Sequence, residues 1–174
     1  MQSLKIMALC IGAAICYGIA HDQVTARVSV EYFTIGHPPI FDTESPTLLA
    51  LGWGIIATWW VGAMLSVPAV LTSRVGSWPK LSAADLRRPV LMLLAAMAVG
   101  SLAAGIAGYF AAEAGYVWLV EPLASEVPRD KQVRFLADLW AHNAAYGVGF
   151  VGGITICIWA LVRRARLARH AIAS

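Results

Sequence analysis

Four uninterrupted apolar runs, residues 4–20, 47–72, 89–112 and 143–162, constrain this chain more than any other feature. About 20 apolar residues of helix are needed to cross the ~30 Å hydrocarbon core of a bilayer. Lipid offers no partner to a bare backbone N–H or C=O, so runs of this kind cross as helices. A transmembrane barrel would need many short alternating strands instead. The sequence therefore predicts an all-α membrane protein, a four-transmembrane-helix bundle forming one domain over residues 1–174. Composition agrees, with 59% apolar and 13% charged residues against about 45–50% and about 25% in soluble domains.

The charges predict an orientation. Lys5, Arg74, Lys80, Arg87, Arg88, Arg163, Arg164, Arg166 and Arg169 fall on one side of the runs, and Arg27, Arg129, Lys131 and Arg134 on the other. The positive-inside rule puts the richer side, and with it both termini, in the cytoplasm of a multi-pass cell (inner) membrane protein. Asp85 is the lone acid on that side; the other nine lie outside. The outer loops are then 21–46 and 113–142, and 163–174 is a basic cytoplasmic tail. The basic inner face reflects topology and anionic lipid, so the bilayer is the expected partner and nucleic acid is not. The first run also resembles a secretory signal, with Gly18-Ile19-Ala20 at a cleavage-like position. Its expected fate is retention as a span.

Ser101/Gly105, Ala104/Gly108 and Gly149/Gly153 are small residues four apart, which let helices approach closely in lipid. They are expected to pack the bundle internally, with a homodimer or a larger membrane complex as the alternative use. Pro68 is expected to kink the second span. Cys10, Cys16 and Cys157 fall inside spans and make no C-x-x-C pair.

Polar groups gather at the outer ends. From Ile6 to Ala20 a helix rises only about 22 Å at 1.5 Å per residue, so His21 and Asp22 reach the outer boundary or just below it. His142 precedes the fourth span at the same depth. The first loop adds Arg27, Glu31 and His37, with Glu113 and Asp138 on the second. Val24, Val28, Tyr32 and Ile35 form a helical stripe, ended by His37-Pro38-Pro39 because the residue before proline avoids the α region. A second helix is expected from about Arg129 through the fourth span into the tail, placing Asp138 and His142 one turn apart.

Two histidines and a carboxylate are a common ligand set for zinc or a redox metal. His21, Glu31, His37 and His142 are the expected ligands for zinc, copper or iron; the alternative is a hydrogen-bonded cap in which Arg27, Glu31, Asp138 and the histidines tie the outer loops together. Asp22, Asp138, Glu113 and Arg27 are expected to orient them or complete the set. Bis-histidine haem on His21 and His142 is a weaker variant, since no second histidine pair lies deep in the bundle. The spacing matches no metal motif with a known mechanism, and there is no G-x-S-x-G, phosphate-cradling loop or H-E-x-x-H. The leading expectation is a metal- or cofactor-dependent membrane protein, with oxidoreductase chemistry as its activity class. The rival is an accessory subunit packing on a larger membrane complex.

Overall fold

The computed structural model describes residues 1–173, and among them it is 80% helix with no strands. The helices are α1 (Gln2–Val28), α2 (Glu31–Thr34), α3 (Pro46–Ile56), α4 (Trp59–Arg74), α5 (Ala83–Glu113), α6 (Leu123–Glu126) and α7 (Gln132–Ala173), with a 3-10 turn at Arg129–Lys131 before the last. Four segments are long and apolar enough to cross a membrane: Gln2–Val28, Pro46–Arg74, Ala83–Glu113 and Arg129–Ala171. Each contains one of the expected runs. Ser174, at the end of the expected tail, lies outside the described residues.

α1 packs against α3 and α4, α5 against α7, and α4–α7 and α1–α5 contacts close the bundle. α1 and α7 also touch across its axis. Glycines set the close approaches. A Cβ on Gly54 would stand 2.6 Å from Ile19 Cα, and one on Gly62 2.8 Å from Ile11 Cα, so α1 meets α3 and α4 backbone to backbone. A Cβ on Gly108 would meet Trp140, and Gly105 and Gly149 face Ala141 and Met97 across the α5–α7 contact. These glycines face the chain's own neighbouring helices.

The second span is interrupted at Ala57-Thr58, where the Thr58 hydroxyl donates back to Gly54 O. The helix then continues through Pro68, so this break is a feature separate from the proline. α5 starts earlier than its apolar run because Ser82 and Asp85 form a capping box. It ends where Gly115 takes φ +74°, a left-handed conformation that glycine adopts without penalty.

α1 also runs past its apolar stretch, to Val28. His21-Asp22-Gln23 contains no helix breaker, and Thr25 Oγ1 donates to His21 O at 3.3 Å. The expected helical stripe over 24–35 is therefore divided. Residues 24–28 extend α1, and Glu31–Thr34 form the separate turn α2.

At the termini end, Arg164 is 2% exposed. Its guanidinium donates to Thr72 O (2.6 Å), Val75 O (2.8 Å), Pro79 O (2.8 Å) and Trp78 O (3.2 Å). One side chain thus caps the C-terminal turn of α4 and holds the link to α5. A cation there also suits the negative end of the α4 dipole.

Candidate metal centre

Adjacent positions on a helix point about 100° apart, so His21 and Asp22 straddle one edge of α1 rather than stacking. His142 faces that edge from α7. One ligand atom from each of His21, Asp22 and His142 lies within 4.8 Å of the other two. His142 Nε2 and Asp22 Oδ1 are 3.3 Å apart, close to the edge of a tetrahedron whose ligands sit about 2.0–2.1 Å from zinc. Asp22 is 5% exposed and His142 7%. The cluster therefore lies inside the bundle, about two turns short of the end of α1.

Proton bookkeeping decides what the cluster lacks. His142 Nδ1 lies 2.9 Å from the backbone carbonyl of Asp138. A carbonyl only accepts, so Nδ1 carries the hydrogen and a neutral ring has its lone pair at Nε2. That lone pair faces the Asp22 carboxylate. His21 Nε2 is also buried, with no hydrogen-bond partner among the described residues. The Asp22–His142 contact is thus acceptor against acceptor until a cation, either a proton or a metal ion, comes between them.

Aromatic rings hold the imidazoles. Tyr17, one turn before His21, stacks on it at 5.6 Å and 15°. Its hydroxyl lies 3.3 Å from Ser101 Oγ on α5. Tyr32 stacks on His142 at 4.3 Å and 26°. Burial raises the pKa of the Tyr32 phenol, with the nearby Tyr146, Asp138 and Asp22 adding to the effect, so it remains a hydroxyl. Tyr17 could have been picked out by its i,i+4 spacing to His21. Tyr32 lies on another element, and no local spacing marks it.

The other expected ligands are elsewhere. Glu31 accepts from Ser29 Oγ at 2.9 Å, because the turn into α2 offers its carboxylate a nearby hydroxyl. His37 reaches the aromatic wall but not the ligand cluster. Its Nδ1 is 2.8 Å from Tyr32 O, and its ring packs on Phe33 at 5.7 Å and Trp53 at 4.5 Å. Burial lowers the His37 pKa; the Tyr32 carbonyl and Asp22 oppose the shift, and His142 adds to it.

Asp138 touches His142 through its backbone carbonyl rather than its carboxylate, since a helix places the i−4 carbonyl closer to Nδ1 than the i−4 side chain. Its carboxylate is buried near Ser29, and Oδ2 has no hydrogen-bond partner among the described residues. Glu113 is exposed at the end of α5, hydrogen-bonded to Tyr109. Arg27 reaches Gln23 Oε1 and Thr47 Oγ1, both at 2.8 Å, and so ties α1 to α3. Asp22, expected to orient the rings or complete the set, stands among the candidate ligands. Bis-histidine haem does not fit. The His21 and His142 rings meet edge to face, 4.5 Å apart at 76°, leaving no space for a macrocycle between them.

A cavity of ≈ 340 Å³ opens from the cluster into the bundle, lined by residues of α1, α3, α4, α5 and α7 together with Tyr32, Phe33 and His37. No family model matches the chain, and no curated protein or solved structure matches it.

Proposed function

We propose that the protein is a membrane metalloprotein that binds a transition metal ion through His21, Asp22 and His142. The observation that carries this reading is the meeting of ligand atoms from His21, Asp22 and His142 within 4.8 Å of one another, on α1 and α7 inside the bundle. A two-histidine, one-carboxylate set leaves coordination positions open. That arrangement suits iron(II) or a catalytic zinc better than a closed structural site. The open positions would face the cavity, and the activity class is oxidoreductase or other metal-assisted chemistry on a molecule held there. His21, Asp22 and His142 hold the ion, Tyr17 and Tyr32 fix the ring planes, and the apolar surroundings limit water.

Elemental analysis of the purified full chain, before and after incubation with zinc, copper or iron(II), tests the reading. Wild type and His37→Ala are expected to bind one equivalent. Asp22→Asn and His142→Ala are expected to bind much less while keeping their helical content. A wild type that stays metal-free under all three conditions refutes the reading and favours an accessory subunit without chemistry of its own.

A further inference from the structure

The cavity beside the cluster has a polar end and an apolar end. Tyr17, His21, Asp22, Tyr32, His142 and Tyr146 gather at the loop end. Towards the termini the lining becomes Cys10, Val61, Leu65, Leu86, Val90 and Ile156, with neighbours equally apolar. On α1 it extends from His21 to Cys10, about 16 Å of helix. That is roughly half the ~30 Å hydrocarbon core, the depth of one leaflet's tails.

Two further observations define what fits. Tyr32 and Tyr146 line the polar end, and neither hydroxyl makes a hydrogen bond to another described residue. Both are available as donors. Among the described residues no lysine or arginine lines the cavity, and Asp22 is its one acid. In the metal-free protein an anionic head would meet a carboxylate and find no cationic partner. A neutral head bearing a carbonyl oxygen would meet two phenols.

We infer that this cavity binds a single-tailed membrane lipid with a neutral carbonyl head, the carbonyl at Tyr32 and Tyr146 and the tail descending past Val61 and Leu65. The inference deepens the metal reading and rests on it for any chemistry at the head. The binding itself needs only the cavity. Quinones and acyl esters share this head chemistry, and the two arms of the test separate them.

Trp53 and Trp60 line the cavity and report on its contents. The full chain, in detergent or nanodiscs, is titrated with a decyl benzoquinone and, separately, with the methyl ester of a fatty acid brominated at mid-chain. Both probes quench indole. Saturable quenching is expected from at least one, and which one identifies the source. Tyr146→Phe should weaken that binding about 2–10-fold, as for one lost hydrogen bond, and Val61→Phe should abolish it by filling the tail path. Without added metal, the free brominated acid should bind more weakly than its ester.

Quenching that never saturates, or that is the same in wild type and both variants, overturns the inference, because the probe is then only dissolved in the surrounding lipid. Equal binding of acid and ester without added metal overturns the assignment of a neutral head. Each titration is run with and without added zinc. Saturable binding by a protein that never takes up metal leaves the lipid site standing and removes the metal reading. Metal uptake without saturable quenching does the reverse.

Discussion

Gly54→Ala should damage the candidate metal centre without touching it. The added Cβ would lie 2.6 Å from Ile19 Cα and N and 2.9 Å from Gly18 C, all backbone atoms that no rotamer change can clear. Ordinary contact begins near 3.4 Å, so α1 and α3 must part by about 1 Å. Overpacking of this size costs about 1–3 kcal/mol. The displacement acts on α1 two residues before His21, while His142 stays with α7. A metal constellation tolerates only about 0.5 Å of such error. Zinc affinity should therefore fall about 10–100-fold, the range seen when a group that orients a ligand is lost. Gly12→Ala, on the same helix with nothing within 4 Å of the new Cβ, is the control, and should be neutral or stabilise by up to about 1 kcal/mol. Chelator-competition titration and thermal unfolding in detergent read both quantities. Wild-type affinity and melting temperature in Gly54→Ala would refute the argument, as would equal damage from Gly12→Ala.

Two further outcomes follow from groups outside that crossing. Burial depresses the His37 pKa, so below about pH 6.5 the unfolded chain binds a proton that the folded chain resists. The contribution of neutral His37 is present above that pH and is lost as pH falls towards its lower folded value. The apparent melting temperature of wild type should thus drop more between pH 7.5 and 5 than that of His37→Gln; parallel curves would show that His37 does not carry the effect. Arg164→Lys cannot serve four carbonyls in the same geometry and should cost about 1–3 kcal/mol. At about 2–4 °C per kcal/mol for a chain of this size, thermal unfolding should resolve the loss, with exposed Arg166→Lys as a silent control.

The spans were legible because a bilayer leaves helices few alternatives, and depth along a helix is simple arithmetic. The same arithmetic placed His21 and His142 at one level, and they meet. What spacing could not supply was direction. Asp138 and His142 have the expected i,i+4 separation, but the imidazole bonds the backbone oxygen of that residue. Glu31 and His37 are in the right loop, yet a two-residue turn gives Glu31 to Ser29 and an aromatic wall takes the His37 ring. The break at Ala57-Thr58 was hidden for a related reason. It accompanies a close approach between Gly18 and Gly54, residues 36 positions apart that carry no mutual signal along the chain.

Arg164 carries a consequence for how the chain is assembled. The carbonyls it satisfies lie 85 to 92 residues earlier, so the turn between α4 and α5 lacks these donors until residue 164 has been made and α7 has packed. A chain that stops before residue 164 therefore leaves this hairpin with four carbonyls lacking the donors that the longer chain supplies. The same residue counts among the positive charges used to orient the spans. Its charge is directed to protein carbonyls, so it acts as a clasp fastened late in synthesis, and it is a weaker argument for orientation than the exposed arginines around it.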